Sequence, residues 1–78
     1  MEATIEFEEI SRLESGTATL WHYGTAKING QDYDFTLAEM KDMNWSSFEV
    51  TWVEGQPENH EKVEELILSS YEKELLKD

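Results

Sequence analysis

The segment GTAKINGQDYDF, residues 24–35, decides the fold of this chain because it places one clear turn between two alternating stretches. A two-residue type I′ turn needs positive φ angles at both central positions, and Asn followed by Gly tolerates them best. We therefore predict a β-hairpin whose turn is Asn29-Gly30.

This turn also predicts the register of the hairpin, with Ile28 opposite Gln31 at its end. Small residues then face aromatic rings, and Lys27 meets an acid beside the turn, whereas a shift by one residue would lose both features. The predicted pairs on one face are Ala26 with Tyr33, Gly24 with Phe35 and His22 with Leu37. On the other face they are Lys27 with Asp32, Thr25 with Asp34 and Tyr23 with Thr36.

Upstream of the hairpin, residues 3–10 alternate apolar and polar side chains, which predicts a further strand with one buried face. The sequence Glu8-Glu9-Ile10 breaks the alternation. Either a bulge or the end of the strand would bring Ile10 back toward the core. A turn is expected at Glu14-Ser15-Gly16.

Downstream, the pattern first indicates a short helix and then a fourth strand. Thr36-Leu37-Ala38-Glu39 fits a capping box, which predicts a helix over 37–43 with Met40 and Met43 inward, followed by a turn at Asn44-Trp45-Ser46. Phe48, Val50 and Trp52 then alternate with Glu49, Thr51 and Val53 in a fourth strand, which Gly55-Gln56-Pro57 ends.

From Glu58 onward the apolar residues recur every three or four positions, which predicts an amphipathic helix. Its stripe consists of Val63, Leu66, Ile67, Tyr71 and Leu75. We expect this helix to cover the face of the sheet that carries Ile5, Phe7, Leu20, Ala26, Phe35, Val50 and Trp52, which leaves Trp21, Tyr23 and Val53 on the opposite face.

The predicted fold class is α+β. It consists of an antiparallel sheet of three to four strands with a C-terminal amphipathic helix packed on one face, in the order β-β-β-(short α)-β-α. With 78 residues and no repeat or linker, residues 1–78 are expected to form a single small domain.

The composition restricts the classes of partner. A formal net charge of −12 disfavours direct binding of nucleic acid, because phosphates are neutralised by clustered lysine and arginine, and favours a basic partner. The chain has no cysteine for disulfide or thiolate chemistry. It shows no signal-peptide pattern at Met1 and no long apolar run, so we expect a cytoplasmic protein that does not interact with membranes.

Catalytic and metal-binding patterns are weak, and we predict neither an enzyme nor a cofactor. His22 is expected on the inward face with a satisfied nitrogen, and His60 as a neutral polar residue at the helix start. The acids that could gather around calcium do not have the alternating loop spacing such a site needs; they are Asp32, Asp34, Glu39 and Asp42. No phosphate-binding glycine motif is present.

What remains is an acidic surface with aromatic residues set into it. Carboxylates two residues apart on a strand lie about 6.6 Å apart, so Glu6 with Glu8 and Asp32 with Asp34 form negative rows like those of nucleic-acid phosphates. We hypothesise an acidic protein-binding module that inhibits or regulates a basic protein or nucleic-acid-binding complex. It would do so as a nucleic-acid mimic. A virus-encoded inhibitor of a host system is an example of such a protein. Its predicted contact residues are Glu6, Glu8, Trp21, Tyr23, Asp32, Asp34 and Glu49.

Two other hypotheses stay open at this point. In the first, the chain is a self-associating accessory domain that forms a homodimer through its sheet edge or its aromatic face, and the charge serves solubility. In the second, His22 and a nearby acid perform catalysis in a pocket. Salt distinguishes the first from the mimic, because ionic strength weakens electrostatic binding and not apolar self-association.

Overall fold

A computed structural model describes residues 2–11, 18–42 and 44–76. The described residues form β1 (Ala3–Glu9), β2 (Ala18–Ile28), β3 (Gln31–Lys41), β4 (Ser46–Trp52) and α1 (His60–Leu76). The strands make one antiparallel sheet in the order β1-β2-β3-β4, and α1 packs on one of its faces. The predicted α+β class is confirmed, and the turn predicted at Glu14-Ser15-Gly16 lies outside the described residues.

The central hairpin forms as predicted. Asn29 and Gly30 both have positive φ angles, 50° and 83°. All seven predicted cross-strand pairs are present, from Ile28 opposite Gln31 to His22 opposite Leu37. Local turn chemistry therefore determines the register of the two longest strands.

Gly24 is required by the close approach of its neighbours on both sides. A Cβ atom at this position would lie 2.5 Å from the backbone oxygen of Glu6 and 2.7 Å from the Phe35 ring. The Phe35 ring packs edge-on against the ring of Phe7, with centroids 5.6 Å apart. The absence of a side chain at residue 24 thus makes room for an aromatic pair in the core.

The break in alternation on β1 is a β-bulge. Phe7 pairs with Gly24, but Glu9 pairs with Tyr23, so Glu8 is an extra residue in the ladder. Beyond the bulge, Ile10 packs against the core, which confirms the expected return of this residue to the interior.

The short helix predicted over 37–43 is wrong, because residues 37–41 continue β3. Thr36, the expected helix cap, instead pairs with Tyr23 on one side and Thr51 on the other. Ladders on both sides satisfy the backbone of this stretch, whereas a helix of seven residues is marginal in water. Met40 is consequently 39% exposed and not inward, and Met43 lies outside the described residues.

Helix α1 covers the predicted face with a narrower stripe than the sequence suggests. Val63, Ile67 and Tyr71 are buried, whereas Leu66 and Leu75 are 39% and 40% exposed. Leu66 and Leu75 are partly exposed because they lie on opposite flanks of the buried stripe. The buried sheet residues beneath α1 are Ala26, Ile28, Phe35 and Leu37.

Candidate protein interface on the uncovered sheet face

The side of the sheet opposite α1 is covered by no described element, and we call it the outer face. Strand alternation determines its membership, because side chains two residues apart point to the same side. Its two central strands carry threonine and alanine together with aromatic residues toward one end, and acids lie toward the other end and along both edges. The charged and large apolar strand residues of this face, together with Thr25, are Glu6, Glu8, Glu9, Trp21, Tyr23, Thr25, Lys27, Asp32, Asp34, Met40 and Glu49.

The aromatic part of the outer face lies on β2. Trp21 is 49% exposed and Tyr23 is 44% exposed. Their cross-strand partners are the small residues Ala38 and Thr36, which leave the two rings standing above the sheet. Exposed aromatic residues of this kind supply much of the binding energy at protein interfaces.

The acidic part is organised around a threonine that lies beneath it. The Thr25 hydroxyl is 3.2 Å from Glu8 Oε1 and 2.9 Å from Asp34 Oδ1. Because a hydroxyl has one proton to donate, the two carboxylates share it. Thr25 is 9% exposed, so these acids on β1 and β3 are oriented by a group that is itself buried.

Lys27 is the one basic side chain among the described strand residues of the outer face. Its Nζ lies 3.7 Å from Glu6 Oε2, and its cross-strand partner is Asp32. The side chains of Lys27 and Glu6 are 49% and 58% exposed, so this ion pair is worth little in water. Most of the carboxylate charge on this face is therefore uncompensated.

Two acids border the aromatic part from opposite edges of the sheet. Glu49 on β4 lies opposite Ala38, the cross-strand partner of Trp21. Glu9 on β1 lies opposite Tyr23 because of the bulge. The prediction from sequence missed Glu9, although the break in alternation at Glu8-Glu9 is the signal from which its position follows.

All seven predicted contact residues lie on this one face. The acids Asp32 and Asp34 are near the hairpin turn, the aromatic residues lie further along β2, and Glu49 is at the β4 edge. Protein interfaces are enriched in aromatic residues and have polar residues around them. The outer face combines exposed aromatic rings with negative charge.

On the opposite side of the sheet, His22 belongs to a buried polar network. Its Nε2 lies 3.1 Å from Glu39 Oε1, and the Tyr71 hydroxyl donates to the same oxygen at 2.7 Å. The Ser11 backbone N–H donates to His22 Nδ1 at 3.1 Å. Since Nδ1 accepts, the ring proton resides on Nε2 and is donated to Glu39.

This network favours a structural role for His22, as the sequence indicated. His22 is completely buried, Glu39 is 5% exposed and both ring nitrogens have partners. The network joins β2, β3, α1 and the segment after β1, so it ties the helix to the sheet. A neutral imidazole, a hydroxyl and a carboxylate satisfy one another, as buried polar groups require.

The place of Glu39 in this network is not evident from the sequence. There Glu39 fits a helix cap, and it is one of four acids, with Asp32, Asp34 and Asp42, that could gather around calcium. Extending β3 through Glu39 instead places it on the inward face, opposite Leu20, while Asp32 and Asp34 point outward. Among the residues that the structure describes, no group of three potential metal ligands is present.

A second polar contact attaches the start of α1 to β4. Trp52 Nε1–H donates to Glu64 Oε2 at 3.1 Å, and His60 Nδ1 lies 2.9 Å from the same oxygen. The helix begins at His60, two residues after the predicted start at Glu58, and His60 lies in its first turn as expected. Glu64 therefore orients both the indole ring and the first turn of the helix.

Comparisons with known proteins give no relative for this chain. No family model matches it, and neither a curated protein nor a solved structure is significantly similar. In the described parts of the chain, no helix has the length and apolar character needed to cross a membrane.

Proposed function

We propose that this protein is an acidic binding module that inhibits or regulates a basic protein partner through the outer face of its sheet. The partner class that fits best is a nucleic-acid-binding protein, whose basic groove the carboxylate rows would occupy. The single observation that carries the proposal is that the seven predicted residues form one exposed surface, in which Trp21 and Tyr23 stand between acidic borders.

Charge and aromatic residues would contribute differently to such binding. With a formal net charge of −12, the protein attracts a basic partner over a distance and raises the rate of association. Trp21 and Tyr23 would supply the buried contacts that keep the complex together, because rim charges alone are screened at physiological salt. The proposed mimicry concerns charge spacing. The backbone positions of Asp32 and Asp34 on the regular ladder of β3 lie about 6.6 Å apart along the strand, whereas the bulge at Glu8 changes the spacing of Glu6 and Glu8.

The experiment that tests this proposal is affinity capture from a cell lysate on the immobilised protein, eluted in steps of increasing salt. We expect a basic nucleic-acid-binding protein that is released by moderate salt and displaced by added DNA or RNA. The test variant is Asp32→Lys with Glu49→Lys, and the matched control is Glu65→Lys with Glu72→Lys on the exposed side of α1. Both variants change the net charge equally, so only a specific contact by the outer face distinguishes them.

Asp34 is less suitable for charge reversal, because it accepts a hydrogen bond from the buried Thr25 hydroxyl. Asp34→Asn keeps that bond and removes the charge, which makes it the appropriate variant at this position. If the outer-face variant captures the same partner with the same salt profile as the α1 control, the proposed interface is wrong.

A second candidate function is self-association through the aromatic part of the outer face. The observation that favours it is the exposure of Trp21, Tyr23 and Met40 on one surface. In that case sedimentation should show a dimer that persists at high salt and dissociates in Trp21→Ala. Recovery of the protein alone from the lysate, together with such a dimer, would replace the first proposal with this one.

A further inference from the structure

The two edges of the sheet differ in how they are protected against pairing with another strand. Natural sheets protect edges with bulges, charged residues, proline or a covering element. The β1 edge has a bulge between Phe7 and Glu9 and carries three acids. The β4 edge has a regular ladder to β3 over its whole length, contains no proline and has Glu49 as its only charged residue.

The direction of the free backbone groups on β4 follows from its ladder. The Val53 N–H donates to the Asp34 carbonyl at 3.0 Å, and hydrogen-bonded pairs alternate along antiparallel strands. Ser47, Glu49 and Thr51 therefore bond to β3. The backbone groups that point to the open edge belong to Ser46, Phe48, Val50 and Trp52, and no backbone hydrogen bond from another described segment reaches them.

The surroundings of this edge are apolar on one side and acidic on the other. Phe48 is 38% exposed on the α1 side, and Leu75 of α1 is 40% exposed. Glu64 contacts Trp52 of β4, and Leu75 lies eleven residues further along, on the same flank of the helix. On the outer face the edge presents Glu49, and every charged residue from Asp42 to Glu61 is acidic.

We propose that β4 is a docking edge to which an extended segment of a basic partner adds as a fifth strand. The side chains of this segment alternate, with lysine or arginine beside Glu49 on the outer face and apolar residues against Phe48 and Leu75. Backbone bonds to the open edge supply affinity, and the alternation supplies specificity. This inference rests on the proposed function and names the segment of the partner that is recognised.

Charge selects this occupant over a second copy of the chain. Two copies at −12 each repel one another, and symmetric pairing about the centre of β4 would place Glu49 opposite Glu49 of the second copy. A basic segment removes both costs because it neutralises the acids that border the edge. Apolar residues alone would not distinguish the two occupants, whereas the charge of the surroundings does.

The test uses a synthetic, end-capped octapeptide that alternates lysine and valine. Its control is a peptide of the same composition with four lysines followed by four valines. We expect the alternating peptide to bind at least tenfold more tightly. It should also slow amide hydrogen exchange at Ser46, Phe48, Val50 and Trp52, while residues of β1 stay unchanged.

Two variants separate edge pairing from charge attraction. Val50→Pro removes a backbone N–H that points to the open edge, and Val50→Ala removes side-chain packing while keeping that N–H. We expect the proline variant to lose peptide affinity at least tenfold relative to the alanine variant. If the proline variant does not fold, slowed amide hydrogen exchange in the wild-type protein still tests whether the peptide pairs with β4.

Equal binding of the two peptides, or slowed exchange confined to residues outside β4, would overturn the inference. Protection of the β4 amides that appears without peptide and grows with protein concentration would also overturn it, in favour of a second copy. Failure here leaves the outer-face proposal intact if Asp32→Lys with Glu49→Lys still weakens lysate capture. If the variant captures the partner as well as the α1 control does, and the peptide strongly protects the β4 amides, the outer-face proposal is rejected instead.

Discussion

At the scale of single residues, the buried network of His22, Glu39 and Tyr71 shows how a small core accommodates polar groups. Glu39 Oε1 accepts hydrogen bonds from His22 Nε2 and the Tyr71 hydroxyl, at 3.1 and 2.7 Å. Each donor satisfies a carboxylate that burial would otherwise penalise. No buried side-chain nitrogen or oxygen within the described ranges lacks a partner.

The network predicts a large effect for a small substitution. Tyr71→Phe removes a buried hydroxyl that donates to Glu39 and preserves the ring, which contacts Phe7, Phe48 and His22. We expect a loss of about 1.5–3 kcal/mol in the free energy of unfolding, the usual range for a hydrogen bond to a charged group. Urea denaturation followed by tryptophan fluorescence measures it.

Tyr23→Phe is the matched control for this measurement. Tyr23 is 44% exposed on the outer face, so loss of its hydroxyl should change stability by less than about 0.5 kcal/mol. Equal effects of the two substitutions would show that the contact of Tyr71 with Glu39 does not contribute to folding.

At the scale of elements, helix α1 is held by three buried side chains at intervals of four residues, Val63, Ile67 and Tyr71. The other apolar residues of the predicted stripe contribute less, because each lies on a flank of the helix. Packing of α1 on the sheet thus depends mainly on this row, which forms one core cluster with residues of β2 and β3. Partly buried Leu68 and the contact of Glu64 with Trp52 add to it.

This packing predicts unequal costs for two leucine-sized truncations. Ile67→Ala should destabilise the protein by about 2–5 kcal/mol, because Ile67 is fully buried and its removal leaves a cavity. Leu75→Ala should cost less than about 1 kcal/mol, because Leu75 is 40% exposed. Thermal and urea unfolding of both variants provide the comparison, and similar losses would contradict the narrow stripe.

At the scale of the whole molecule, the dominant property is the imbalance of charge. The chain has eighteen acidic and six basic side chains, and repulsion among the acidic ones acts against the compact state. The same repulsion supports solubility and opposes contact between copies. Stability and contact between copies should therefore both respond to ionic strength.

We expect the melting temperature to rise by about 4 °C or more between 0.01 and 0.15 M NaCl, which for a domain of this size corresponds to about 1 kcal/mol. Over that interval the Debye length falls from about 30 to about 8 Å, so repulsion is screened. Differential scanning calorimetry measures the change, and Glu65→Lys with Glu72→Lys should reduce it. A melting temperature that falls with salt would mean that attractive pairs such as Lys27 with Glu6 outweigh the repulsion.

The amino-acid sequence by itself determined the hairpin, its register and the two faces of the sheet. These features depend on local rules: Asn29-Gly30 selects the turn, and a side-chain period of two then assigns Trp21, Tyr23, Asp32 and Asp34 to one face. The same rules indicated that Ile10 returns to the core through either a bulge or the end of the strand, and the structure has the bulge. Local signals were sufficient where long-range strand pairing did not compete with the local preference of the backbone.

Only the tertiary structure determined that residues 37–41 form a strand and not a helix. It also determined the width of the buried stripe on α1 and the network around Glu39. A capping box at Thr36 favours a helix locally, but ladders from β2 and β4 on both sides satisfy more backbone groups than one short helix does. Once β3 extends through Glu39, that side chain turns inward to His22 and Tyr71. These outcomes depend on segments far apart in the chain, whose contacts no local pattern encodes.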